Sequence, residues 1–133
     1  MTLQDFKSNY EQQLIKIAQK YDLDYFILFG SHAQNKDKLS SDFDLAYKKK
    51  TISDDDQFNL LEDIQSIFKD KAFDLVRLEL KTSEVLKYEI LWRGYCFYSK
   101  NFEQYREERE NVYFTYIDSF ALLEPTKLKY LNA

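Results

Sequence analysis

The chain has 133 residues, of which 44% are hydrophobic and 32% charged, and a net charge of −4. That length supports one domain around a single core with two layers of secondary structure, and the composition excludes a disordered chain. The negative balance argues against a broad basic surface for nucleic acid, and the single cysteine, Cys96, excludes an internal disulfide.

Residues Leu3 to Tyr21 carry an apolar stripe of Leu3, Phe6, Tyr10, Leu14, Ile17, Ala18 and Tyr21. Steps of three and four predict a helix with one buried side. Thr2 with Asp5 predicts a capping box at its start. Tyr25 to Phe29 is a continuous apolar run, the signature of a central strand, and Gly30 ends it. Residues Ser31 to Ser41 are polar and read as a loop or short helical turn. Asp42 to Tyr47 alternates, with Phe43, Leu45 and Tyr47 on one face and Asp42, Asp44 and Ala46 on the other. Lys48 to Lys50 read as a solvated strand exit.

Ser53 predicts an N-cap, with Asp54, Asp55 and Asp56 in the first turn, where the helix dipole favours anions. The stripe of that helix is Gln57, Leu60, Leu61, Ile64, Ile67 and Phe68. A third strand is expected over Ala72 to Leu80, with Asp74 inside an apolar run. Thr82 or Ser83 caps the next helix, whose expected buried face is Val85, Leu86, Ile90 and Leu91. Gly94 is expected at its C-terminus in the left-handed region. Tyr95 to Ser99 reads as a fourth strand. A last helix begins near Asn101 to Tyr105, carries Val112, Tyr113, Tyr116, Ile117 and Phe120, and stops at Pro125. The connection between the first two strands is too short for a full covering helix, so they are expected to be antiparallel neighbours in a mixed sheet. The expected fold class is α/β (α+β), a small mixed sheet with helices packed on it. Residues 1–100 form the minimal domain, and residues 101–133 add a C-terminal helix and tail of the same domain.

The chemistry centres on three acids. Asp42 and Asp44, two apart on a strand, project from one face about 7 Å apart. Two such carboxylates repel unless a cation lies between them. Mg²⁺ takes oxygen ligands and commonly combines one or two carboxylates with substrate phosphates. Asp74, on a later strand, completes a triad of metal ligands and catalytic acids, as ligand or base for an acceptor hydroxyl. Gly30 lets the backbone approach phosphate oxygens, and Ser31 adds a hydroxyl and an amide.

Gly30-Ser31, ten residues, Asp42-x-Asp44 and a later Asp74 resemble the motif of the minimal nucleotidyltransferase (MNT) group of the DNA polymerase β superfamily. Ser41 before the first acid, Asp74-Leu75-Val76, and Arg93-Gly94 before an aromatic strand extend the likeness over roughly residues 10 to 100. The resemblance implies a polymerase β-like nucleotidyltransferase fold, ATP as nucleotide substrate bound at Gly30 and Ser31, and Mg²⁺ held by Asp42, Asp44 and Asp74. It further implies a HEPN-type RNase toxin as partner, neutralised by transfer of AMP to a tyrosine hydroxyl. Where the family often has Arg and Gly, this chain has His32 and Asn35. The lost arginine leaves the triphosphate to metals, backbone amides and Lys36 or Lys38.

Each feature also has a plainer reading. Gly30-Ser31 alone would be a turn, Asp42 and Asp44 alone a solvated strand face, and Asp74 alone an acid at a strand edge. His32 reads as a polar loop residue and Cys96 as a small buried one. Two further functions compete: an antitoxin that inhibits by binding alone, and a small-molecule nucleotidyltransferase of the aminoglycoside type. No apolar run reaches the length of a membrane span and no signal peptide is evident, so the expectation is a cytoplasmic protein without membrane or direct nucleic-acid contacts.

Overall fold

The computed structural model of the protein describes residues 2–30, 33 and 42–121. The expectations for Ser31, His32, Asn35, Lys36, Lys38, Ser41, Pro125 and the tail lie outside the described residues.

Four strands form one sheet in the order β3-β2-β1-β4. β1 (Tyr25–Phe29) is central because every one of its five side chains is apolar, and all five are buried. β2 (Phe43–Lys48) runs antiparallel to it, with Phe29 opposite Asp44 and Tyr25 opposite Lys48. β3 (Phe73–Arg77) is parallel to β2, and β4 (Tyr95–Ser99) is antiparallel to β1, so the sheet is mixed as expected.

A run that is apolar on both sides needs cover on both sides. The sheet therefore lies between two helical layers rather than beneath one. On one face Phe26, Leu28, Phe43, Leu45 and Tyr47 pack against Phe6, Leu14, Ile17, Leu60, Ile64 and Phe68. These come from α1 (Leu3–Phe6), α2 (Gln12–Lys20) and α3 (Asp54–Phe68). On the other face Tyr25, Ile27, Phe29, Ala46 and Leu78 meet Ile90, Leu91 and Tyr105. Each large apolar side chain fully buried here contributes about 1.5–3 kcal/mol relative to exposure.

The capping box at Thr2 and Asp5 is present, and Ser53 accepts from the Asp56 amide to start α3. Ser83, rather than Thr82, caps α4 (Glu84–Lys87). The Thr82 hydroxyl instead accepts from the Glu79 amide, which turns the chain and ends β3 before Leu80. Asn101 Oδ1 accepts from the Gln104 amide where α5 (Phe102–Ala121) begins.

Two π-helical segments were not foreseen, at Lys7–Glu11 and Tyr88–Trp92. Phe6 and Leu14 are eight residues apart, which on an ideal α-helix separates them by about 80°. The wider π turn between them shifts that phase, and both side chains are fully buried. The second segment likewise directs Ile90 and Leu91 inward and leaves Val85, expected in the core, 60% exposed. Leu61, also expected inside, is 42% exposed, while Leu60, Ile64 and Phe68 are buried and Ile67 packs against the same core. Among the described residues no helix is long and apolar enough to cross a membrane.

Candidate active site

The C-terminal end of β1 and the N-terminal ends of β2 and β3 meet at one end of the sheet. Gly30 leaves β1 there with φ +77°, in the left-handed region that disfavours a side chain. A Cβ at Gly30 would stand 2.4 Å from Asp44 Oδ2 and 3.3 Å from its Cγ. The bend and the acid strand are therefore in direct contact, and glycine is required twice over, by conformation and by space.

Asp44 is half-buried on the sheet face that also presents Ala46. In the parallel register its partner across β2 and β3 is Asp74, which is exposed. Adjacent strands lie about 4.8 Å apart, and directly paired residues point to the same side. Two carboxylates are thus placed side by side, an arrangement that is unfavourable without a compensating charge. The Phe43 amide donates to the Ala72 carbonyl at 3.2 Å and fastens the start of β2 to that of β3. Asp42 immediately precedes β2, exposed, at the same end. Ser31, the other nucleotide-binding candidate, lies outside the described residues.

The donor chemistry suits a hard divalent cation, because all three groups are carboxylates. Among the described residues, however, no group of three or more His, Cys, Asp or Glu side chains is gathered as a metal cluster. Backbone register accounts for the nearness of Asp44 and Asp74; Asp42 stands outside the strand pairing.

Across β1, Leu28 pairs with Tyr95, which brings Arg93 and Gly94 to this end of the sheet. Gly94 is not left-handed, contrary to expectation. Its reason is contact: a Cβ there would meet the Ile90 carbonyl oxygen at 2.2 Å and Ile27 Cγ2 at 2.6 Å. The glycine lets the π-helical segment close directly onto β1.

The lysines after β2 differ from expectation. Lys48 and Lys49 are half-buried, and Lys48 Nζ pairs with Glu108 of α5. With Lys50 they line a cleft of about 800 Å³ at the end of the sheet opposite the acids. The signal in the sequence was three lysines at a strand exit; it could not show that Arg77 and Lys87 join them.

The architecture is that of a polymerase β-like nucleotidyltransferase. The profile of the family described as "Polymerase beta, Nucleotidyltransferase" matches residues 12–103, and the chain belongs to that family. Among solved structures, a crystal structure of a toxin–antitoxin with AMP-PNP is similar at 23% identity and a TM-score of 0.67. That match covers 84% of this chain and 90% of the other. A tri-AMPylated Shewanella oneidensis HEPN toxin in complex with MNT antitoxin matches at 22% identity and a TM-score of 0.64, covering 86% and 89%. The toxin–antitoxin MntA-HepT matches at 22% and 0.63, covering 86% and 90%. At these identities the likeness shows the shared fold. Among curated protein sequences none matches at a significant level.

Proposed function

We propose that the protein transfers AMP from ATP to a tyrosine hydroxyl of a HEPN-type toxin in the cytoplasm and so acts as its antitoxin. The observation that carries this reading is the contact of Gly30 with Asp44 and the register of Asp44 with Asp74. The family supplies the reaction class. The similar structures supply the partner class, since they are toxin–antitoxin complexes, one with AMP-PNP and one with a tri-AMPylated toxin.

Asp42, Asp44 and Asp74 are the residues that would hold Mg²⁺. When bound, the metal supplies charge neutralisation on the phosphates and a lowered pKa for the acceptor hydroxyl. Gly30 lets phosphate oxygens approach the backbone, and Ser31, next in sequence, offers a hydroxyl and an amide. Asp44 lies against the bend at Gly30, beside the proposed phosphate seat. The tyrosine oxygen forms a bond to the α-phosphorus, the bond from that phosphorus to the bridging oxygen breaks, and pyrophosphate leaves. Asp74, the more exposed acid, takes the hydroxyl proton.

Residues 1–100 provide the reaction in this reading, and the helix and tail of 101–133 provide docking surface. Exposed Phe102 and Phe114 on α5 support a protein acceptor that lands there. The test is incubation with ATP labelled at the α-phosphate, Mg²⁺ and a candidate HEPN-type toxin. Label on that protein supports the proposal; label on neither protein, or release of free AMP only, overturns it.

A further inference from the structure

We infer that the cleft at the far end of the sheet is a second ligand site, for a nucleotide-class anion: a phosphate attached to an apolar, planar body. This stands apart from the reading of the acid site. The cleft, of about 800 Å³, lies between the exits of β2 and β3 and the first half of α5. It falls within the range of small-molecule sites. Register puts Tyr25 and Lys48 at its end of the strands and Phe29 and Asp44 at the other. Four residues of strand separate the two ends, about 13 Å.

Its charge runs against that of the chain. Lys48, Lys49, Lys50, Arg77, Lys81 and Lys87 line it, against three carboxylates, Asp24, Glu79 and Glu108. A protein of net charge −4 thus concentrates positive charge in one concave surface. Several of these cations are already held. Lys48 pairs with Glu108, and Lys49 donates to the Asp22 carbonyl. Lys87 Nζ donates to the Leu80 carbonyl at 3.1 Å. Arg77 donates to the carbonyls of Lys49 and Lys50 and so fixes the backbone that carries both lysines at the mouth. Lys50 has no side-chain partner among the described residues, and Lys81 is 85% exposed with only a 3.7 Å contact to Glu79. These two are the groups available to a phosphate.

The rest of the lining suits the remainder of such a ligand. Tyr25, Leu78 and Leu91 are buried apolar residues at the cleft, joined by Val112. Leu80 stands beside them 97% exposed. Gln104 and Asn111 add side-chain amides from α5, donors and acceptors for a base edge or ribose hydroxyls. Two lining residues also keep a buried polar atom without a hydrogen-bond partner, Arg77 Nε and Glu108 Oε2. One is a donor and the other an acceptor.

AMP, adenosine and inorganic phosphate are titrated separately into the full chain with chelator present, and binding is read by calorimetry and amide chemical shifts. The expected result is that AMP binds at least about tenfold more tightly than either fragment, because the cleft rewards both halves. The double variant Lys50→Glu, Lys81→Glu changes two exposed residues and is expected to keep the wild-type circular dichroism. It should lose AMP binding at least about tenfold, whereas Asp44→Asn should leave it unchanged. AMP binding abolished by Asp44→Asn and indifferent to the lysine variant would overturn the inference. So would equal binding of inorganic phosphate and AMP, or no binding of AMP at millimolar concentration.

Discussion

Gly30 and Asp44 touch: a Cβ on the glycine would lie 2.4 Å from the aspartate Oδ2, and the glycine φ is +77°. A side chain at residue 30 must therefore adopt a disfavoured backbone conformation and displace the carboxylate. Gly30→Ala is expected to lower stability by about 1–2 kcal/mol. The melting temperature should fall by about 3–10 °C. Nucleotidyl transfer should fall further, about 10²-fold, because a displaced carboxylate misplaces the reacting groups. Thermal melts and initial rates on the same preparation measure both effects.

Asp74 separates catalysis from stability. It pairs in register with Asp44, like charge beside like charge. Asp74→Asn relieves that repulsion, so the fold should be unchanged or more stable by about 0.2–1 kcal/mol. With Asp74 as the proposed proton acceptor, its loss should reduce transfer by about 10²–10⁴-fold. A variant that melts no lower than wild type yet fails to transfer AMP is the expected outcome; retained transfer would remove Asp74 from the mechanism.

Gly94→Ala tests the other glycine, whose need is steric. The added methyl group meets a backbone carbonyl of the π-helical segment and Ile27. Overpacking of this kind costs about 1–3 kcal/mol. A denaturant midpoint lowered to that extent is expected, and a neutral result would show that the segment can lift from β1.

Arg109 holds the end of the same segment. It donates to the carbonyls of Leu91 and Trp92 at 3.1 and 2.9 Å and lies over the Trp92 ring at 4.1 Å. Arg109→Lys cannot serve two carbonyls and a ring face in one geometry. A loss of about 1–3 kcal/mol is expected, readable by urea unfolding.

Burial pushes the Cys96 thiol up to about 12, and burial pushes the Tyr105 hydroxyl up to about 12 as well. Both folded values lie above the ordinary ones, so their contribution to stability is fully present below about pH 9. It is lost as the pH rises towards 12. Urea midpoints should decline between pH 9 and pH 11, and native Cys96 should resist alkylation at pH 8 until the chain is unfolded.

Local rules made the framework legible. Five apolar residues in a row marked β1, alternation marked β2, and Ser53 and Thr2 marked two helix starts. The contact between Gly30 and Asp44 follows from the same reading once β1 and β2 are antiparallel neighbours. What escaped depended on contacts distant in sequence. The phase shift at Lys7–Glu11 answers to where Phe6 and Leu14 must meet the sheet, and Gly94 answers to Ile27, 67 residues earlier. The lysines at the exit of β2 acquired meaning only when α5 folded back to place Glu108 over Lys48. The spread of the three acids beyond strand pairing was likewise not readable from their spacing.

The most direct test is the intact mass of the proposed HEPN-type partner after incubation with ATP, Mg²⁺ and this protein, wild type or Asp74→Asn. The partner is expected to gain one or more AMP units with wild type, on a tyrosine, and none with the variant. An unmodified partner with wild type, or equal modification with Asp74→Asn, would contradict it.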